Sequence, residues 1–130
     1  MLRILYLTWG ENIGLNGLFR EQVVGQLKKI RQLEPDASLY LLSGIPISRN
    51  LIKRYKSYIS FLKDIQLDLN TVNISFHWSF IPILSSQFYS KFFIIPFYYV
   101  WHFHYLRRYI KINKINIIHC RSYHAALFAH

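Results

Sequence analysis

A chain of 130 residues holds one domain at most, and with 52% hydrophobic and 18% aromatic residues it is too apolar to remain disordered. Sixteen Lys and Arg against six Asp and Glu leave a net charge of +10, which favours phosphate groups, nucleic acid or an acidic membrane surface unless the basic side chains are simply solvated. The single cysteine, Cys120, excludes an internal disulfide and fits a reducing cytosol.

Arg3 to Trp9 is short, apolar and ended by Gly10, the pattern of a buried strand. Met1-Leu2-Arg3-Ile4 runs straight into it, so no secretory signal is expected. Gly10 to Gly17 reads as a loop by its Gly and Asn content. A helix is predicted from about Leu18 to Leu33, with Val23, Val24, Leu27 and Ile30 on one face. Lys28, Lys29 and Arg31 lie in its last turns, where they complement the helix dipole, and Pro35 closes it.

Ser38 to Leu42 is the second predicted strand, ended by Ser43-Gly44-Ile45-Pro46, and Asn50 to Ile65 reads as a basic helix. Asn73 to Phe80 is a third strand stopped by Pro82. Ser86 to Ile112 is a long helical segment that Pro96 should kink or break in two. Ile115 to Cys120 is the fourth strand, and Ser122 to His130 begins another helix. Short apolar strands alternating with helices predict an α/β fold: a Rossmann-like, incomplete doubly wound parallel sheet, covered on both faces and connected right-handedly.

The uncharged stretch from Phe92 to Leu106 is shorter than the roughly 20 apolar residues of a membrane span, and it contains His102 and His104. It reads either as a core helix or as a membrane-facing surface. On the second reading Tyr98, Tyr99, Trp101 and Tyr105 sit at the interface, and Arg107, Arg108, Lys111 and Lys114 meet phosphates. No acid follows Asp68, so the second half of the chain is wholly basic.

Ligands of open parallel sheets bind beyond the carboxyl ends of the strands, near the point where strand order reverses. Two loops qualify. Gly10 to Gly17 leads into a helix N-terminus, where glycines either let backbone N–H groups approach an anion or serve only the turn. Gly10, Gly14 and Gly17 do not have the dinucleotide spacing, strand two ends without a ribose-binding acid, and no Gly-Lys-Ser/Thr follows. These departures count against dehydrogenases and P-loop NTPases. The second loop is His119-Cys120-Arg121-Ser122-Tyr123-His124. Arg121 offers a fork for phosphate or carboxylate. His119, Cys120 and His124 lack the spacing and the fourth ligand of a zinc site, so no metal is expected. A Cys–His nucleophile pair is equally weak, Cys120 at a strand end being more typical of a small core residue.

At these two loops the chain resembles the N-terminal domain of the GT-B glycosyltransferases of family 4. The resemblance rests on the strand, glycine loop and helix with Glu21-Gln22-Val23-Val24-Gly25-Gln26-Leu27, and on Ile117-Ile118-His119-Cys120-Arg121-Ser122-Tyr123. The family's segment at strand four commonly reads acid, two apolar residues, His, any residue, His. Asn116 stands here for the acid and Arg121 for the second His. Ile45 to Ile112 matches in rhythm alone.

The resemblance implies the N-terminal half-domain of a GT-B fold spanning 1–130, truncated before its sheet is complete and without the C-terminal donor-binding domain. It implies donor diphosphate contacts at Gly14 and Gly17. Sugar or acceptor contacts would fall on Arg121, Ser122, Tyr123 and His124, with Arg121 and His119 as candidates at the reaction centre. Because Arg stays protonated, an electrostatic role is expected of Arg121 rather than acid–base work. No cofactor is implied beyond a nucleotide-sugar donor. The expected function is sugar transfer from that donor to a glycan or lipid-linked acceptor, with this chain inactive alone and a separate C-terminal half as a possible partner. The expected place is the cytoplasm, peripheral at the inner membrane face. The alternative is a non-catalytic basic α/β module that binds an anionic membrane or a protein. Nucleic acid is not expected, since no DNA- or RNA-reading motif is present.

Overall fold

The computed structural model describes residues 1–10, 17–81 and 94–121, with the backbone alone for 94–99. Gly14, Ser122, Tyr123 and His124 lie outside the described residues, as do 86–93 and the last predicted helix.

Four strands form one parallel sheet: β1 (Arg3–Trp9), β2 (Ser38–Pro46), β3 (Ile74–Ile81) and β4 (Ile117–Cys120), in the order β3-β2-β1-β4. Leu5 lies opposite Tyr40 on one side and Ile118 on the other, so the expected strands pair in the expected sense. Side chains alternate between faces along each strand, and each face has its own helical cover.

One face carries Tyr6, Leu39, Leu41, Ile74 and Phe76. It is covered by the helix after β1, built as a π-helical stretch (Arg20–Val24) running into α1 (Gly25–Leu33), and by α2 (Arg49–Lys53) and α3 (Tyr55–Asn70). Val23, Val24, Leu27, Leu51, Leu62, Ile65 and Leu69 fill this layer, each such side chain contributing roughly 1.5–3 kcal/mol by leaving water. The other face presents Leu5, Leu7, Trp9, Leu42 and Ile81 to α4 (Ile94–Asn113), which packs down Leu106, Tyr109 and Ile110.

Two expectations from the sequence are corrected. The second strand does not end at Leu42 but runs through Ser43-Gly44-Ile45 to Pro46, because β3 continues the ladder as far as the Pro46–Ile81 pair. Thr8 and Ser43 face each other within it, and their buried hydroxyls satisfy one another at 2.7 Å. The basic helix from Asn50 to Ile65 is two helices. Ser48 caps α2 by accepting from the Leu51 N–H at 3.1 Å, and α3 continues to Asn70. Pro96 lies near the start of α4 as described, and the residues before Ile94, on which the expected kink or break depends, lie outside the described residues.

The helix thought to be either core or surface is both. His102, Leu106, Tyr109 and Asn113 recur at helical spacing on the inner side, whereas Val100, Trp101, Phe103, Tyr105, Arg107, Arg108 and Lys111 are exposed. His102 stands edge-on against the Trp9 ring, centroids 5.0 Å apart. Burial holds its pKa below the ordinary 6.5. The unfolded chain therefore takes up a proton more readily than the native protein. Stability is fully present above pH 6.5 or so and is lost as pH falls below it toward the folded pKa. Urea unfolding followed between neutral and mildly acidic pH should show this loss in the native chain. The slope should be shallower in His102→Gln, and identical slopes would exclude the effect.

Candidate functional site

β1, β2 and β3 run outward in one direction, and the chain then crosses back to lay β4 on the far side of β1. Strand order therefore reverses between β1 and β4, and the carboxyl ends of these two strands flank the crevice where sheets of this kind bind ligands.

Gly17 closes the glycine loop with φ near +80°, a left-handed conformation that any other residue adopts at a cost, and nothing crowds the space where a side chain would be. Its carbonyl accepts from the Glu21 N–H at 3.0 Å, starting the helix. The π stretch follows at once, with the Gly25 N–H reaching back to the Arg20 carbonyl. Such wide turns recur at functional sites because they re-aim side chains. Here both Val23 and Val24 turn inward while Gln22 stays at the surface.

From the other side, the Arg121 N–H extends the ladder by donating to the Leu7 carbonyl at 3.2 Å. Its guanidinium donates to Oε1 of Gln22. Arg121, in the second loop singled out in the sequence, is thus tied to the helix that follows the first, through residues 99 apart in the chain. Two residues earlier, His119 lies on the same side of β4. Its ring is exposed and stacks obliquely on Tyr6 with centroids 4.6 Å apart. Tyr6 in turn donates its hydroxyl to Gln26 Oε1 at 2.7 Å.

The site built this way contains Tyr6, Gln22, Gln26, His119 and Arg121 beside Gly17. Its side chains offer hydroxyl, amide and imidazole groups and a permanent cation, and no carboxylate is among them. Such a set suits an anionic or hydroxyl-rich ligand. Tyr6, Gln22 and Gln26 were missed as site residues in the sequence. The four-residue spacing of Gln22 and Gln26 on one helix face was the available signal; that they meet β4 depends on the sheet order.

Cys120 points to the opposite face, toward α4. Strand alternation therefore separates its thiol from the His119 imidazole, and burial pushes the thiol pKa up, away from a reactive thiolate.

No family model, no curated protein and no solved structure matches this chain. The fold and the strand-order reversal define a Rossmann-like α/β protein. None of its described helices is long and apolar enough to cross a membrane.

Proposed function

We propose that this chain is the acceptor-side N-terminal part of a glycosyltransferase resembling the GT-B enzymes of family 4. Its function would be sugar transfer from a nucleotide-sugar to a glycan or lipid-linked acceptor. The observation that carries this reading is the Arg121–Gln22 bridge, which sets a cation beside the helix that follows the glycine loop at the strand-order reversal. Arg121 replaces the histidine of the related segment. Because it cannot release its proton at neutral pH, its contribution is to attract and hold negative charge while His119 contacts hydroxyls. The donor-diphosphate role of Gly17 follows the same reading: its backbone conformation opens a helix N-terminus, which favours anions.

The test is binding of inorganic pyrophosphate and of a panel of nucleoside diphosphate-sugars, followed by ligand-observed NMR. The native chain should bind, and Arg121→Ala should bind about 30-fold more weakly, since a charge-assisted hydrogen bond of about 2 kcal/mol is lost. Equal binding by the two proteins would overturn the assignment of Arg121. The chain alone should transfer no sugar; turnover that vanishes in Arg121→Ala would overturn this expected inactivity. A second reading, a non-catalytic basic module for an anionic surface, draws on a different observation: the aromatic and basic outer face of α4.

A further inference from the structure

The sheet segregates acidic residues, although both layers carry basic ones. The described acidic residues, Glu21, Glu34, Asp36, Asp64 and Asp68, all belong to the α1–α3 layer or to the turn beside it. The opposite layer, α4 and the turn after it, carries Arg107, Arg108, Lys111 and Lys114 and no acid at all. Its outer face is also apolar to a degree unusual for solvated helix. Trp101 is 75% exposed, Ile112 65%, Val100 54% and Tyr105 42%. Trp101, Tyr105, Arg108 and Ile112 follow one another at four-, three- and four-residue steps, so they run along one flank of the helix. Val100, Trp101 and Tyr105 precede the basic residues along the helix, and Ile112 lies among them.

We infer that this face docks the protein on an anionic phospholipid bilayer, α4 lying in the plane of the headgroups. An aromatic belt of Trp101 and Tyr105 suits the boundary between acyl chains and water, and each neighbouring basic residue gains from anionic headgroups. Nucleic acid is the competing polyanion. Val100 and Ile112 have no ring to stack on a base, and burying them in the acyl boundary removes their surface from water, which a phosphate backbone does not do. The docking face is formed by α4, whereas the side chains of the candidate site meet α1 on the other side of the sheet. The inference therefore stands or falls independently of the glycosyltransferase reading.

Vesicle flotation tests it, since aggregated protein does not float. The full chain should float with vesicles of phosphatidylcholine and phosphatidylglycerol, remain behind with phosphatidylcholine alone, and detach as salt screens the headgroups. Trp101 fluorescence should shift to the blue on anionic vesicles, and the shift should disappear in Trp101→Phe. The Arg107→Ala/Arg108→Ala variant should partition about 30-fold more weakly, two basic residues at about 1 kcal/mol each. Both side chains are exposed, so the fold should survive, which circular dichroism checks. Lys53→Ala/Lys56→Ala removes the same charge from the opposite layer and should leave flotation unchanged. The inference is overturned if the chain ignores anionic vesicles at low salt, floats equally with neutral ones, or loses as much from the Lys53/Lys56 variant. Binding of single-stranded RNA without binding of vesicles would overturn it in favour of nucleic acid.

Discussion

Gly44→Ala should destabilise the protein by about 2–3 kcal/mol, the scale of an overpacked core, and lower its melting temperature by about 10 °C. The backbone of Gly44 is ordinary; the obstacle is space. A methyl group there would lie 2.5 Å from Cδ2 of Trp9 and 2.6 Å from Cε3. The indole cannot give way easily. It is 2% exposed, held within β1 beside β2, and contacted by His102 of α4. Relief would require α4 or the β1–β2 pair to shift, which disturbs the whole layer over Leu5, Leu7 and Leu42. Chemical unfolding followed by circular dichroism measures the loss. Shrinking the ring in a Trp9→Leu background should remove most of the additional cost of Gly44→Ala, because the two sites share one contact. A tolerated alanine in the native background, with unchanged midpoint, would show that this packing is not tight.

Arg31→Ala should cost about 2–3 kcal/mol, more than other single changes at exposed charges. From α1 its guanidinium reaches two separate turns. Nη1 donates to the Pro35 carbonyl at 2.9 Å and the Ala37 carbonyl at 2.5 Å, Nε to Val72 at 3.1 Å, and Nη2 to Asn73 at 2.8 Å. One side chain thereby joins the start of β2 to the start of β3, and truncating it leaves partly buried carbonyls without a donor. Lysine should rescue little, because one ammonium cannot reproduce the planar fork. Lys28, one turn away, offers the contrast. Its pair with Asp68 at 2.7 Å is about one-third exposed on each side and should contribute under 1 kcal/mol or so. Thermal melts of Arg31→Ala, Arg31→Lys and Lys28→Ala should rank in that order of loss, and a Lys28 variant as damaged as Arg31→Ala would refute the assignment.

Arg31 also shows how a formal charge misleads. Counted from composition, it is one of the cations available to anionic partners and a complement to the helix dipole. In the fold it is a brace between backbone turns, and its charge is already engaged. The same reassessment applies along α4 in the opposite sense. The sequence offered core and membrane readings of Phe92 to Leu106 as alternatives, but a helix against a sheet has two sides, and here His102 and Leu106 serve one while Trp101 and Tyr105 serve the other.

What the amino-acid sequence determined by itself is the alternation of elements and the parallel sense of their pairing. Runs such as Ile4-Leu5-Tyr6-Leu7 and Leu39-Tyr40-Leu41-Leu42 are too apolar to leave either face in water, and the helices between them are long enough to return the chain to its starting edge. Gly17 and Arg121 were likewise legible as loop residues, because glycine and a charged fork after an apolar strand are local signals. Only the tertiary structure decided that β4 lies beside β1 rather than beyond β3, and the bridge from Arg121 to Gln22 and the stack of His119 on Tyr6 follow from that choice. It also decided where β2 ends, since Ser43-Gly44-Ile45-Pro46 reads locally as a turn. That segment stays extended because β3 supplies hydrogen bonds on one side and Trp9 requires the empty position of Gly44 on the other. Local chemistry is written in neighbouring residues. Which strand lies next to which depends on how all the apolar faces are buried at once, and no single segment carries that information.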